Sequence, residues 1–385
     1  MLYTDFGKTG VKLSRLGMGC MRLPSDDVNG KTVYNEEKST AIIKRAVELG
    51  VNYFDTAPFY CDQMSEPILG RALKGIDRSK VYVSTKYPIG AVTTGDNYEE
   101  SLNNSLKKLD MQYIDFYHFW GISLKAFQEN INIKNGPLER AIKLKEQGLI
   151  KHISFSFHDR GAGEKEGENL MEVLKQGEGV LESLLVQYNM LDRTKENGIE
   201  LAHKMGVGTV VMGPVAGGRL GTPSKAVLNL LPGNFTSSAE MAMRFVLSNK
   251  NVNVALSGIT AMEQLEENAK AVLNDSAFTE EDIKRMDAVI KENEKLAELF
   301  CTNCKYCLPC PQNINIPEIF NFMNYHRVYE ITDYAKKEYA SIGKIAWRNY
   351  NNASACNECG ACEEKCPQSI PIREQLKETH KTLAV

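Results

Sequence analysis

No apolar run in this 385-residue sequence approaches the roughly 18 residues that a membrane-spanning helix needs. The first residues, Met1–Asp5, contain neither the basic segment nor the apolar segment that begins a secretory signal. We therefore expect a cytoplasmic protein that does not enter a membrane.

An excess of one charge is also missing. The chain has 46 basic and 49 acidic residues, mixed along its whole length, which give a net charge of −3 and a pI of about 6.2. Such a distribution contains no basic patch of the kind that binds nucleic acid. We expect small molecules or proteins as partners, and no nucleic acid.

Cysteine is scarce in the first 300 residues, which hold only Cys20 and Cys61, and then abundant, with eight cysteines between residues 301 and 366. Disulfide frameworks are typical of small secreted chains, and this chain is large and lacks a signal. The clustered cysteines therefore predict metal ligation in a reducing compartment. The two isolated ones are expected to be ordinary buried or site-lining thiols.

Between residues 16 and 259 short β-rich runs alternate with segments of helical periodicity, the pattern of parallel strands joined by crossover helices. Eight such units favour a (β/α)8 barrel over a doubly wound sheet. The predicted strands are Leu16–Arg22, Asn52–Asp55, Val81–Lys86, Tyr113–Phe119, His152–Phe157, Ser183–Asn189, Thr209–Met212 and Val252–Gly258.

The length predicts a second domain, because a barrel of about 250 residues does not account for the whole chain. At residue 300 the composition changes abruptly to cysteine, proline and asparagine. We predict a barrel domain over residues 1–278, an amphipathic helical connector over residues 279–299, and a small second domain over residues 300–385.

One stretch, Asn52–Tyr60, ends an apolar run in an acid and carries a tyrosine five residues after that acid. The pattern Phe54-Asp55-Thr56-Ala57 followed by Tyr60, with Ser84-Thr85-Lys86 after the next helix, resembles the aldo-keto reductases. The resemblance extends over roughly residues 3–275. It implies a barrel enzyme that transfers hydride between a nicotinamide and a carbonyl.

A carbonyl that accepts hydride develops charge on its oxygen, so the site must place a proton donor there. Tyrosine, with a pKa of about 10, is a poor donor unless a neighbouring cation favours its phenolate. Tyr60 as acid, Lys86 as cation and Asp55 as the counter-ion of Lys86 form a coherent triad at the catalytic face of a barrel. The residues themselves also allow a structural Asp55–Lys86 ion pair beside an ordinary tyrosine.

The fourth predicted strand departs from the family pattern. The family usually carries a histidine five residues after an aspartate there, and the run Asp115-Phe116-Tyr117-His118-Phe119-Trp120 puts Trp120 at that place. His118 shares the face of Trp120 and would lie one layer deeper, or be brought upward by a bulge. We predict that Trp120 forms a wall for a planar or hydrophobic substrate, and His118 is either a participant in the chemistry or a core histidine. In some family members replacement of this histidine accompanies reduction of a conjugated C=C bond, so the resemblance implies a carbonyl or an enone substrate.

The resemblance also implies a nicotinamide cofactor held beyond the later strands. Small residues after the seventh strand would let the backbone approach the pyrophosphate. The lysine and arginine that grip the 2′-phosphate in NADPH-specific members correspond here to Gly258 and Gln264, which favours NADH and leaves NADPH open. The residues implied for NADH or NADPH are Arg22, Ser156, Gln187, Gly213, Pro214, Val215, Gly217, Ser257, Ile259, Gln264, Glu267 and Asn268.

Two four-cysteine runs, each closed by Cys-Pro, dominate the second domain. They are Cys301-x2-Cys304-x2-Cys307-x2-Cys310 and Cys356-x2-Cys359-x2-Cys362-x3-Cys366. The second run matches the bacterial ferredoxin pattern, in which three thiolates hold one cluster and the fourth ligates the other. We predict two [4Fe-4S] clusters in an α+β ferredoxin-like domain, with Cys310 and Cys366 exchanged between them; zinc is the weaker alternative. The whole chain resembles aldo-keto reductases that end in such a domain, found chiefly in anaerobic bacteria and archaea.

Together these observations predict an NAD(P)H-dependent oxidoreductase that reduces a carbonyl or an enone. The cluster domain would serve electron transfer with a redox partner protein, redox sensing or structure, because a nicotinamide releases its electrons as a hydride pair. The alternative is an iron-sulfur electron-transfer protein whose barrel has lost or altered its reductase activity, as Trp120 in the place of the usual histidine suggests.

Overall fold

The computed structural model describes residues 1–28, 31–89, 97–159, 165–190, 192–216, 235, 237–273, 278–279, 281–284, 287–288, 301, 307–327, 329–366 and 370–384. Internal contacts divide the chain into two compact units. The first comprises Met1–Gly217 and Glu240–Ala277, and the second comprises Gly218–Ala239 and Phe278–Val385.

The first unit is built around a closed barrel of eight parallel strands that follow one another in sequence order. They are β1 (Leu16–Gly19), β2 (Tyr53–Asp55), β3 (Tyr82–Tyr87), β4 (Ile114–Ile122), β5 (Ile150–Phe157), β6 (Ser183–Gln187), β7 (Gly208–Met212) and β8 (Val254–Gly258). Each overlaps one of the predicted strands, and the predicted barrel is confirmed. Their mostly buried residues fit strands covered on both faces.

Among the described residues, eight α-helices of at least nine residues connect or follow these strands. They are α1 (Glu36–Glu48), α2 (Ser65–Leu73), α3 (Asn97–Leu109), α4 (Pro137–Glu146), α5 (Glu166–Gln176), α6 (Glu196–Met205), α7 (Ser238–Ser248) and α8 (Met262–Leu273). Helix α1 shows the local logic: the Asn35 side chain accepts a hydrogen bond from the Lys38 amide at its start, and Gly50 adopts a φ of +90° just beyond its end. The chain can turn there without the steric cost of a Cβ.

The lower part of the barrel interior is apolar and its upper part is polar. The segments Tyr3–Asp5 and Lys12–Ser14 pair as a hairpin. Phe6 lies between them in the sequence, and its ring lies against Gly208 at the start of β7. The apolar layer contains Tyr53, Phe116 and Val254, and a Cβ on Gly17 would come within 3.0 Å of both Tyr53 and Val254. Because the strands are parallel, the polar residues further along them gather at the carboxyl end of the barrel.

The second unit is helical in its described part, with helices α9 (Ile316–Arg327), α10 (Thr332–Ala340) and α11 (Ile372–Leu383) around an apolar core. Each cysteine run is followed by a 12-residue helix whose first residue is buried, Ile316 in one case and Ile372 in the other. This correspondence fits the internal repeat that two ferredoxin halves produce. Most of the predicted connector over residues 279–299 lies outside the described residues, and none of the described helices is both long and apolar enough to cross a membrane.

Candidate active site and cluster site

A buried ion pair between Asp55 and Lys86 forms the centre of the polar layer. The Lys86 Nζ donates to Asp55 Oδ1 at 2.6 Å and to the Thr56 carbonyl oxygen at 2.7 Å, and the two charged side chains are 1% and 3% exposed. Asp55 is the last residue of β2, and Lys86 lies near the end of β3 beside it. Both charged residues therefore lie at the carboxyl end of the barrel.

Tyr60 lies next to this pair, with its ring centroid 4.7 Å from Lys86 Nζ. Burial raises the pKa of Tyr60; the Lys86 charge opposes this rise and the Asp55 charge adds to it. Burial by itself would lower the pKa of Lys86, but Asp55 and Tyr60 outweigh burial and raise it. At neutral pH the site therefore holds a protonated phenol beside an ammonium group. The structure brings the three predicted triad residues together.

The turn after Tyr60 is strained. Cys61, Asp62 and Gln63 have φ values of +52°, +49° and +70°, a left-handed conformation that costs non-glycine residues free energy. Neighbouring contacts hold the turn: the Ser65 amide donates to the Tyr60 carbonyl oxygen, and the Ser65 hydroxyl donates to the Cys20 carbonyl oxygen at 2.7 Å. Tyr60 is thus fixed at the start of a defined turn. Cys20 and Cys61 are both buried, as predicted.

A further set of polar side chains lies directly under the ion pair. Ser84 donates to Asp55 Oδ2 at 2.6 Å, so both carboxylate oxygens of Asp55 are engaged. His118 is completely buried, with its Nε2 3.4 Å from the Tyr53 hydroxyl and 3.9 Å from Asp55 Oδ2. Burial, helped by the Lys86 charge, lowers the pKa of His118 well below its usual value and keeps the ring neutral. Of the two predicted positions for His118, the structure has the deeper one.

Trp120 closes the site on the side of β4. Its ring lies edge-to-face with the Tyr60 ring, at a centroid distance of 5.6 Å and an angle of 89°. The register of β4 against β5 shifts between Phe119 and Ile122, and Gly121 adopts a φ of +62° within this shift. The Ser156 hydroxyl oxygen accepts a hydrogen bond from the Gly121 amide at 2.6 Å and stabilises this backbone. The bulge therefore follows His118 and aims Trp120 at Tyr60.

The residues predicted to hold the nicotinamide end of a cofactor lie at the ends of β5, β6 and β7. Ser156 is buried and contacts Gly121, whereas Gln187 donates to Asp192 Oδ2 at 2.8 Å. Gly213 follows β7 with a φ of +65°, and Asn189 donates to its carbonyl oxygen at 3.0 Å. The neighbours Pro214 and Val215 are buried and half-buried, and Gly217 lies outside the described residues.

The residues predicted for the adenosine end surround the start of α8. Asn268 donates to the Ser257 hydroxyl oxygen at 2.9 Å, and the Gln264 side chain accepts from the Thr260 amide at 2.8 Å. A Cβ added to Gly258, which ends β8, would meet no atom within 4 Å, so the space above this residue is open. Ile259 is buried, Glu267 half-buried and Arg22 exposed in the segment after β1. The cofactor roles of these residues stay predictions.

The second unit contains a pocket lined by cysteines from both runs. Cys356, Cys359 and Cys362 line it together with Cys310 and Cys307 from the other run. Four thiols of this kind are the donor set of an iron-sulfur cubane. Within the described ranges no three His, Cys, Asp or Glu side chains approach closely enough to hold a single metal ion. Cys301 and Cys366 pack against the core of the unit, and Cys304 lies outside the described residues.

Sequence reasoning missed two hydroxyl groups of the site, those of Tyr53, whose ring belongs to the apolar layer, and Ser84. A signal for both was present, because Tyr53 precedes Asp55 by two residues and Ser84 precedes Lys86 by two, and alternate strand residues share a face. It also missed Phe59, which lies tilted against Trp120 with ring centroids 6.0 Å apart.

Comparisons with known proteins agree with this architecture. The model of the "Aldo/keto reductase family" matches residues 15–291, and that of the "4Fe-4S dicluster domain" matches residues 300–370. L-galactose dehydrogenase from Arabidopsis thaliana is 26% identical over 312 residues, covering 75% of this chain and 94% of that protein. NADH-specific methylglyoxal reductase from Escherichia coli is 26% identical over 323 residues, covering 69% of this chain and 92% of that protein.

Solved structures of the same kind are similar as well. The holo form of an aldo-keto reductase from Bacillus halodurans superimposes with a TM-score of 0.62 at 26% identity, covering 75% of this chain and 96% of that one. A thermostable aldo-keto reductase in complex with the inhibitor epalrestat gives a TM-score of 0.59 at 25% identity, covering 75% and 99%.

Proposed function

This chain belongs to the aldo/keto reductase family, with a C-terminal 4Fe-4S dicluster domain, and from that premise we propose that it is an NAD(P)H-dependent oxidoreductase that reduces a carbonyl or a conjugated enone. The observation that carries the proposal is the position of Lys86, which donates to Asp55 and lies against the Tyr60 ring. A structural ion pair would need Asp55 and Lys86, but it would not need a phenol beside the ammonium group.

Tyr60 is the proton donor in this proposal. A reduced nicotinamide, when bound, supplies the hydride. The hydride bonds to the carbonyl carbon, or to the β carbon of an enone, and the displaced π electrons leave a negative charge on the substrate oxygen. Tyr60 gives its proton to that oxygen, which yields the alcohol from a carbonyl, or from an enone an enol that tautomerises to the saturated ketone. Lys86 stabilises the phenolate that remains, Asp55 holds Lys86 in place, and solvent returns the proton to Tyr60. Trp120 offers an indole N–H and an apolar ring, so it takes no part as an acid.

The cofactor would be held by the residues at the ends of β5 to β8. The open space above Gly258 and the left-handed backbone at Gly213 support this assignment, because close approach of a ligand to the backbone requires such positions. Ser156 and Gln187 would hold the nicotinamide, and Ser257, Gln264 and Asn268 would lie at the adenosine end.

We further propose NADH as the preferred cofactor. The 2′-phosphate of NADPH calls for a cationic or bidentate partner. The first turns of α8 carry Glu263, Gln264, Glu266 and Glu267, none of which is cationic. The Gln264 side chain is already hydrogen-bonded to the Thr260 amide. The similarity to an NADH-specific reductase is consistent with this preference.

In the second unit we propose two [4Fe-4S] clusters. Cys356, Cys359, Cys362 and Cys310 would hold one of them, which the shared pocket supports, and Cys301, Cys304, Cys307 and Cys366 would hold the other. They would pass single electrons to or from a redox partner protein or stabilise the domain. A cytoplasmic location stays a prediction from the sequence.

The test is anaerobic NAD(P)H oxidation with a panel of aldehydes, quinones and enones, for wild type and Tyr60→Phe. Loss of the phenolic proton should lower kcat by about 10²- to 10⁴-fold. Tyr98→Phe is the matched control, because the Tyr98 hydroxyl is buried and has no hydrogen-bond partner in the described part of the chain. If no nicotinamide binds, or if Tyr60→Phe behaves like Tyr98→Phe, the reductase proposal is wrong and the electron-transfer alternative gains.

A further inference from the structure

Three aromatic rings, those of Phe59, Tyr60 and Trp120, form a continuous wall at the mouth of the barrel, which we call the aromatic wall. Trp120 lies edge-to-face with Tyr60 at 5.6 Å and tilted by 31° against Phe59 at 6.0 Å. Both distances fall in the range of favourable aromatic pairs. Trp120 is therefore held by contacts on two sides as well as by the bulge at Gly121.

The outer part of this wall lies open in the barrel unit. Phe59 is 50% exposed although it is a large apolar side chain, and Trp120 is partly exposed. Partly exposed apolar rings beside a polar site are what a small-molecule site presents to the apolar part of its ligand.

The position of the wall relative to Tyr60 defines which part of a substrate it would meet. A carbonyl oxygen that receives the Tyr60 proton lies at the Tyr60 hydroxyl, so the groups bonded to that carbonyl lie beside the rings that flank Tyr60. A flat, conjugated group offers a π face to Trp120 and Phe59, whereas a flexible alkyl chain offers only apolar area and loses rotamer freedom when it is ordered.

From this geometry we propose that the aromatic wall is a subsite for a planar conjugated group, so that the substrates are aryl carbonyls and aryl-conjugated enones in preference to aliphatic carbonyls. Their designation as substrates rests on the proposed reductase function, whereas their binding does not. Phe59 and Trp120 are the specificity-determining residues.

Binding can be measured without turnover, because the chain contains only two tryptophans, Trp120 and Trp347. Trp347 lies in the second unit and is 65% exposed, so Trp347→Phe leaves Trp120 as the sole tryptophan. Trans-cinnamaldehyde, added without nicotinamide, should quench the fluorescence of this variant saturably, and hexanal should not. The comparison variant Trp120→Phe keeps Trp347 as its one tryptophan and has the same clusters and the same light absorption as Trp347→Phe. Its fluorescence should show no saturable quenching by trans-cinnamaldehyde. Equal responses of the two variants, or quenching by hexanal to the same extent, would overturn the proposal.

Turnover gives the second arm. Stacking of one ring contributes up to about tenfold, so the ratio of kcat/KM for cinnamaldehyde to that for hexanal should fall about tenfold in Trp120→Leu and severalfold in Phe59→Leu. Phe59 is half exposed, so this variant should fold even if Trp120→Leu does not. An unchanged ratio in Phe59→Leu and Trp120→Leu overturns the specificity role. Saturable quenching without turnover of any carbonyl would keep the aromatic subsite and reject the reductase function.

Discussion

The double replacement of Asp55 and Lys86 distinguishes a catalytic pair from a structural one. At 2.6 Å and an effective dielectric constant of about 20, the two charges attract by about 6 kcal/mol, before the cost of removing both from water is subtracted. Asp55→Asn leaves a buried ammonium group that keeps the Thr56 carbonyl oxygen as an acceptor. Lys86→Met leaves a buried carboxylate with the Ser84 hydroxyl as donor. Each single variant should lose about 3 to 5 kcal/mol of unfolding free energy, because it leaves a charge buried without its partner.

Asp55→Asn combined with Lys86→Met removes both charges, and this variant should be more stable than either single one. Its kcat should nevertheless stay about 10²-fold or more below wild type, because Tyr60 has lost the cation that stabilises its phenolate. Urea unfolding followed by circular dichroism gives the stabilities, and anaerobic NAD(P)H oxidation gives kcat. A double variant that regains both stability and activity would refute the triad and leave a structural ion pair.

The other predictions concern pH, the clusters and the cofactor. Burial and the Asp55 charge raise the pKa of Tyr60, so its phenol stays protonated through neutral pH. For reduction, kcat/KM should therefore be constant through neutral pH and fall only above about pH 10. A fall near pH 7 would identify a different acid. Cys310→Ser should halve the iron and sulfide content from about eight to about four per chain, and combining it with Cys359→Ser should leave about four, because both cysteines would ligate one cluster. Without the exchange, the combined variant would lose both clusters. Gln264→Arg should shift the preference from NADH toward NADPH by about tenfold, measured as the ratio of kcat/KM values, and no shift would mean that Gln264 lies away from the 2′ position.

Much of the fold is encoded locally, which is why it could be predicted. Alternation of β-rich and helical segments depends on each residue and its near neighbours, and all eight barrel strands overlap the predicted runs. Gly50, Gly148 and Gly206 follow the ends of α1, α4 and α6 with φ values of +90°, +79° and +77°, so a glycine after a helical run is a local signal for the end of a helix. The helical character of the segment between the cysteine runs was predictable for the same reason.

The arrangement around Tyr60 depended on contacts between distant parts of the chain. Whether His118 reached the mouth or stayed in the core was decided by where the register shift of β4 against β5 falls, and it falls after Phe119. The left-handed turn at Cys61–Gln63 contains no glycine, so the sequence gives no signal for its positive φ values. Ser65, whose hydroxyl contacts the Cys20 carbonyl oxygen, anchors the end of that turn.

The sequence by itself determined the order of the eight barrel units and the two cysteine runs, because periodicity and residue spacing carry these features and can be read without knowledge of the fold. The resemblance of the segments around Asp55, Tyr60 and Lys86 to the aldo-keto reductases gave the proposed carboxylate, acid and cation. Only the tertiary structure decided that Ser84 binds the second oxygen of Asp55, that His118 stays neutral beside Tyr53, and that Trp120 packs against both Tyr60 and Phe59. These contacts join residues from different strands and loops, and closure of the barrel sets their distances.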